Sequence, residues 1–490
     1  MKHTYIFMGM LASALVLGSC NDLDQTPSTE LPEDEAVTTT ADLQNAVNGV
    51  PYTLIDAFNG ERFTYTSEFT LFGDIRTNDF KIGYNFGQTS SISKYTLTKN
   101  DNAPEAVFQY YYAAIGNINK TLEESAALST SDAKVKNLKG QLYAWRGLLH
   151  FDLARTFAHI PSTVKDVNAA NSGIPLSTQV YASDYKPTRA TLKATYDTIV
   201  TDLTKAAEMM ADDKDNVNPS NYVGKMNYYA AIALRARAYL YMGEYAKALA
   251  DAQKVINSRK FELYTTSNYA SVWATEGTSE SIFEIQTTST HNSDRYSTGY
   301  FNDADGYAEC AFNEKSKLFQ YLMNNDTIVS GKDSTILSDV RRNAIKDQTS
   351  DKYDVPGYYS NKYPGRGSVY VNNPKIVRLS EMYLIAAEAE YYLNGGVAAA
   401  PYINAIERNR IVPVKGSYTE AKSVTLDDIL FEYEKEFFTE NQIAFAYWRN
   451  KRSVTSMMGQ EIPYDSNLNI FPIPQREIDL NGALTQNAGY

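Results

Sequence analysis

Glu432 and Glu436 stand four residues apart in a helical pattern, so their carboxylates share one face. Two such groups are the minimum for acid–base cleavage of a glycosidic bond. Lys435 and its neighbours offer a plainer use, an ion-paired helix surface, and that reading is preferred. Other catalytic constellations are missing from the sequence. There is no His-Glu-x-x-His, no Gly-x-Ser-x-Gly and no phosphate loop; SGKDS at 330–334 lacks the leading glycine and has Asp333 where a hydroxyl is needed. His150 and His159 lie nine residues apart on one helix. That is about 900° of rotation, so the two rings point to opposite sides. His3 falls in the leader described below and His291 is alone, so no zinc site is expected. The expectation is a protein that is not an enzyme.

Binding chemistry is better represented. NDADGYAE at 302–309 resembles part of a calcium loop without the full helix–loop–helix spacing. No cofactor is expected; Asp303, Asp305 and Glu309 are the one calcium candidate, and a turn is the alternative. Sugar rings need flat aromatic faces, and their hydroxyls need planar polar groups. Trp145 and Trp448 sit on amphipathic helices and Trp273 precedes the strand-like SIFEIQ, so all three are assigned to packing. The burden falls on loop Tyr and Phe, in a chain with 38 Tyr and only 3 Trp. FGDIRTNDFKIGYNFGQ at 72–88 supplies Asp74, Arg76, Asn78, Asp79, Phe80, Tyr84 and Phe86. HNSDRYSTGYFNDADGY at 291–307 supplies Asn292, Arg295, Tyr296, Tyr300 and Phe301. The competing reading makes Asp74 and Arg76 a buried ion pair and the tyrosines a cover for the core. YYSNKYPGRGSVYVNN at 358–373 is a third, weaker stretch, with PGRG as a turn.

The chain start places these groups in a compartment. Lys2 and His3 precede an apolar run from Tyr5 to Leu17, too short to span a bilayer as a helix. Gly18, Ser19 and Cys20 follow, the layout of a secretory signal, and Leu17-Gly18-Ser19-Cys20 resembles the bacterial lipoprotein box. The expected organisation is a signal peptide at 1–19, a lipidated Cys20 with a tether to residue 40, and a single domain at 41–490. Acyl chains would then be the only membrane attachment. Cys310, in YAECAF, is expected to be a small buried residue. Net charge is −12, so no basic face for nucleic acid is implied.

Helices must carry the loops. Apolar residues recur every three to four positions over 107–128, 138–157 and 192–210. The segment 227–256 reads as two helices broken at Met242-Gly243, and 376–410 as two broken at Gly395-Gly396. A long final helix is expected over 425–452. Residues 67–97, 261–375 and 453–490 lack that period and read as loops and short strands. Gly243, Tyr245, Ala248 and Ala252 fall at the offsets of a tetratricopeptide unit, and 382–406 is a looser version.

In this order the motifs resemble the SusD/RagB family of outer-membrane nutrient-binding lipoproteins, over essentially the whole mature chain. The resemblance rests on CNDLDQTPSTELPEDEAVTTTADLQNAVNGV at 20–50, RGLLHFDLARTFAHIP at 146–161, the stretch 173–210 beginning GIPLS, EMYLIAAEAEYYLNGG at 381–396 and IFPIPQREIDLNGALTQNAGY at 470–490. Departures occur at Glu432-Tyr433 and from Glu440-Asn441 to Ala446, where the family carries Glu-Arg and then Glu-Gly, Arg, Trp and Asp. The resemblance implies a mostly α fold with about four tetratricopeptide-like helix pairs and a loop-rich ligand-binding lobe with short strands. It implies a surface-exposed outer-membrane protein that captures oligosaccharide or polysaccharide for a TonB-dependent, SusC-like transporter. Oligopeptide capture and a purely structural partnership with the transporter are the alternatives.

Overall fold

The computed structural model describes residues 37–55, 62–83, 86–324, 326–330 and 333–490. The expected signal peptide, Cys20, most of the tether and Tyr84 lie outside the described residues.

The chain begins with α1 (Thr40–Tyr52), where Thr39 and Asp42 cap each other's backbone N–H. A short α2 (Ser90–Ser93) is followed by the long α3 (Asn102–Glu124), α4 (Ala133–Phe157) and α5 (Leu192–Met210). Next come α6 (Tyr228–Met242) and α7 (Tyr245–Ser258), then the short α8 (Thr298–Phe301) and α9 (Lys317–Met323). The last group is α10 (Leu379–Asn394), α11 (Gly396–Glu407), α12 (Leu426–Phe437), α13 (Ile443–Arg449) and α14 (Gln475–Leu480). Side-chain oxygens at the starts of α4, α5 and α6 (Asp132, Thr191 and Asn227) accept N–H groups that the first turn leaves open. The turn between α6 and α7 is made by Gly243 at φ 74°, a backbone shape that favours glycine.

Each long helix packs on the next: α4 on α5, α5 on α6, α6 on α7, α7 on α10, and α10 on α11 and α12. Small residues bring the backbones close, since Ala230, Ala233, Ala248 and Ala252 are all fully buried. The predicted apolar stripe of α4 (Leu142, Trp145, Leu149, Leu153 and Phe157) is likewise interior. All three tryptophans are buried, as the sequence implies.

One expectation is corrected. The continuous helix over 425–452 is two helices, separated at 438–442. Thr439 and Asn441 adopt left-handed backbone conformations there, which an α-helix cannot contain. The reason lies in a distant loop. The fully buried carboxylate of Asp74 accepts the N–H groups of Asn441, Gln442 and Ile443 at 2.8, 3.1 and 2.9 Å and so starts α13 afresh.

Short strands join the long loops. β1 (Phe80–Lys81), β3 (Ala311–Phe312), β7 (Pro356–Ser360) and β6 (Ile345–Thr349) form one antiparallel sheet in that order. β2 (Ser281–Glu284) pairs with β8 (Lys375–Arg378), and β4 (Asp326–Ser330), β5 (Asp333–Asp339) and β9 (Ile411–Lys415) make a third sheet.

Where helices and sheets meet, charges are buried together. Glu436 receives Arg378 at 2.6 Å, Arg410 at 2.8 Å and Arg341 at 3.1 Å, all without solvent exposure. Glu432 pairs with Arg341 at 2.5 Å and with Lys435. The acid pair that opened the sequence reading is thus sealed inside an ion network, where no substrate reaches it. Arg378 and Arg410 also share Glu280, at 3.0 and 2.7 Å, which ties β8 and the end of α11 to the loop before β2.

Candidate functional site

Six partly exposed rings gather where the loops around the four-stranded sheet converge. Tyr307 is at the centre. Its ring centroid lies 5.1 Å from Tyr300, 5.5 Å from Phe86 and 6.0 Å from Tyr296. Tyr353 meets Phe86 at 5.6 Å, and Tyr370 meets Tyr300 at 5.6 Å. Guanidinium groups border the rings: Arg62 lies 4.5 Å from the Tyr296 centroid and Arg295 lies 5.4 Å from it. Both distances allow cation–π attraction. Arg62 is itself fixed by Glu68, with Nε donating at 2.8 Å. Burial, and then the neighbouring Tyr296 hydroxyl, push the Tyr307 phenol up to about 12, so it remains a neutral hydrogen-bonding group.

Strand pairing explains the convergence. Phe80 faces Phe312 and Lys81 faces Ala311, so the chain leaving β1 runs beside the chain entering β3. Gly83 N–H donates to Ala308 carbonyl at 2.8 Å and extends that contact. Phe86 and Tyr307 are thereby neighbours, 221 positions apart in sequence.

The calcium candidates serve as fasteners instead. Asp303 accepts Lys346 Nζ at 2.7 Å and Gln348 Nε2 at 3.1 Å, and Asp305 accepts Ser350 Oγ at 2.8 Å. These bonds fix the β6–β7 hairpin, and with it Tyr353, to the loop of Tyr307. Glu309 accepts the N–H groups of Gln88 and Thr89 at 2.9 and 2.6 Å and so fixes the loop of Phe86. The three carboxylates point to three different partners, and no cluster able to hold a metal occurs among the described residues. Gly306 permits the last approach. A Cβ there would lie 2.1 Å from Tyr300 carbonyl, which accepts Tyr307 N–H at 3.0 Å.

Eleven of the twelve sequence candidates lie among the described residues, Tyr84 being the exception, and the structure divides them. Phe86, Tyr296 and Tyr300 form the aromatic surface and Arg295 borders it. Asn292 is partly exposed nearby but shapes its own loop, donating to Thr288 carbonyl at 2.9 Å and accepting Asp294 N–H at 2.8 Å. Asn78 and Asp79 line a different cleft of about 210 Å3, with Lys317, Glu434 and Tyr447. Asp74, Arg76, Phe80 and Phe301 are interior, and their expected ligand contact is corrected. Asp74 caps α13, as described. Arg76 does not pair with it: Nη1 donates to Asn469 carbonyl at 2.7 Å, and the guanidinium packs among Tyr95, Trp448 and Phe471. Phe80 and Phe301 pack on Phe312 and Tyr307. Tyr307, Tyr353 and Tyr370 were absent from the candidate set. Tyr307 and Tyr370 lie within quoted aromatic stretches; Tyr353 carries no local signal beyond its turn, DKYD.

A chain of packed helices supporting a lobe of long loops and short sheets defines the class of architecture. Residues 23–240 match the family described as "Starch-binding associating with outer membrane", and residues 261–490 match the SusD family. The chain belongs to the SusD/RagB family. SusD-like protein P2 of Formosa agariphila is 25% identical over 440 residues, covering 84% of this chain and 82% of that protein. A SusD superfamily crystal structure from Bacteroides thetaiotaomicron has a TM-score of 0.78 at 27% identity, covering 92% of this chain and 99% of the other. A putative sugar binding protein from Bacteroides vulgatus has a TM-score of 0.78 at 28% identity, covering 93% and 99%.

Proposed function

We propose that the protein captures an oligosaccharide or polysaccharide at the cell surface and passes it to a TonB-dependent, SusC-like transporter. The observation that carries this reading is the gathering of Phe86, Tyr296, Tyr300, Tyr307, Tyr353 and Tyr370 from four separate loops onto one partly exposed surface. Ring faces accept the C–H surface of a pyranose, while phenol hydroxyls and the guanidinium of Arg295 serve its hydroxyls. The family description and the similarity to a putative sugar binding protein from Bacteroides vulgatus support the same ligand class. Lipid anchorage through Cys20 in the outer membrane rests on the N-terminal motif. Among the described residues no helix is long and apolar enough to cross a membrane. Binding without chemistry is the expected activity, since the acid pair on α12 is sealed by arginines.

Calorimetric titration with a panel of polysaccharides and with a peptide digest tests this. Saturable heat with a glycan whose chain length is unchanged afterwards is expected. Heat with peptides alone would move the ligand class to oligopeptides. Shortening of the glycan would overturn the non-enzymatic reading.

A further inference from the structure

A second opening lies between α1 and the N-terminal half of α4, bounded by the segment that follows α5. It encloses about 590 Å3 and shares no residue with the aromatic surface. Its walls are rich in carboxamides. α1 contributes Gln44 and Asn48, and α4 contributes Asn137 and Gln141. Each pair is four residues apart and therefore on one helix face.

The amides pair along each helix, and two of the cleft's amides, Asn137 and Asn216, also bond to a shared acid. Gln44 Nε2 donates to Asn48 Oδ1 at 3.0 Å, and Gln141 Nε2 donates to Asn137 Oδ1 at 2.8 Å. Asn137 Nδ2 and Asn216 Nδ2 both donate to Asp213, at 3.3 and 2.8 Å. The Tyr222 hydroxyl donates to the same carboxylate, and its side chain lines the opening together with Met209. Asp213 orients Asn137 and Asn216, Gln44 and Asn48 bond to each other at the exposed rim, and the set keeps hydrogen-bonding capacity. Among the described residues, Gln44 Oε1, Gln141 Oε1 and Asn48 Nδ2 have no protein partner. The charges in the lining balance, with Lys134 and Lys225 present alongside Asp212 and Asp213.

We infer that this cleft is a second carbohydrate site, which takes a short stretch of neutral glycan. Carboxamides donate and accept in one plane, which suits adjacent ring hydroxyls. A lining with balanced charge gives no preference for an anionic ligand. The inference rests on the reading of the protein as a glycan binder and adds a subsite to it.

The test is calorimetric titration of the full chain with neutral gluco-, xylo- and manno-oligosaccharides, at low and at high salt. Three variants accompany it: Tyr296→Ala with Tyr300→Ala at the aromatic surface, Asn137→Ala with Gln141→Ala in the cleft, and Gln44→Ala with Asn48→Ala on the exposed wall of α1. The last keeps the test available if the α4 pair disturbs folding. Two sites per chain are expected in the parent, with the aromatic variant retaining the cleft site. Either amide pair should weaken that retained site about tenfold or more, with little salt dependence. A single site abolished by the aromatic variant and untouched by both amide pairs would overturn the cleft and leave the glycan reading intact. A single site lost only in the amide variants would support the cleft and overturn the aromatic surface. No binding of any saccharide by the parent would overturn both, and steep salt dependence of the cleft site would overturn a neutral ligand.

Discussion

Replacing Asp74 separates a structural role from a ligand-binding one. Its carboxylate is fully buried and accepts three consecutive backbone N–H groups at the start of α13. Asp74→Ala leaves those donors buried without partners. Each such donor costs ~1–3 kcal/mol, so the simple sum spans ~3–9 kcal/mol. Water entering the vacated volume can serve part of the turn, and Asn441 stays fixed by Gly73 N–H on its Oδ1 at 2.6 Å and Arg155 on its carbonyl at 3.1 Å. The expected loss is therefore ~4 kcal/mol, near the lower end of that range. Asp74→Asn keeps one acceptor oxygen but turns an NH2 toward the backbone donors, so a loss of ~2 kcal/mol is expected. Urea unfolding read by circular dichroism gives both values, provided the slope with denaturant is unchanged. Hydrogen exchange should accelerate at the start of α13 in the alanine variant. A loss below ~1 kcal/mol, combined with abolished ligand binding, would refute the capping role and restore Asp74 as a ligand contact.

Three further expectations follow from burial and charge. Glu436→Gln leaves Arg341, Arg378 and Arg410 without their shared counter-charge, and urea unfolding should show a loss of ~3–5 kcal/mol; an unchanged midpoint would contradict the network's importance. Burial pushes the carboxyls of Asp79 and Glu434 up from 3.8 and 4.5 to about 6 and about 8, and the Asp79 charge adds to the rise at Glu434. Folding thus favours their protonated forms: this contribution is whole below about pH 4, declines as the unfolded chain ionises, and is gone above about pH 8. Glu436 behaves oppositely, because its arginines hold it well below 4.5, and its contribution is lost only as pH falls below that value. Burial also pushes Asp74 up to about 7, so stability should decline from about pH 5 to 8, and Glu434→Gln should reduce that decline without abolishing it; a flat parent profile would refute it. Burial pushes the Cys310 thiol well above its usual range, so its peptide should resist iodoacetamide in the folded protein and react in urea; rapid native alkylation would contradict this.

The helical scaffold was legible because its signal is local. Leu142, Trp145, Leu149, Leu153 and Phe157 repeat at helix spacing and are all interior. The break at 438–442 was not legible, because the group that restarts the helix is Asp74, 367 positions away. The site was legible by residue type and not by membership. Phe86, Tyr296 and Tyr300 stood out as loop aromatics and do converge. Asp74, Arg76 and Phe80 share their composition with such loops, but burial in a loop follows no period that a sequence displays. Tyr353 joins the surface only because Asp303 and Asp305 bind the β6–β7 hairpin to a neighbouring loop. The same acids looked like calcium ligands for want of a visible partner; Lys346 and Ser350 are more than forty positions downstream.

The central claim, that the loop aromatics bind glycan, is tested most directly at Tyr296 and Tyr300. Both are partly exposed, and their contacts with other loops are ring contacts at the surface, Tyr300 on Tyr370 and Tyr296 on Arg62. Affinity for the glycan identified by titration should fall about tenfold on Tyr296→Ala or Tyr300→Ala, equivalent to ~1.4 kcal/mol of lost ring contact, with the melting temperature nearly unchanged. Affinity equal to the parent's in both variants, at intact stability, would contradict the account.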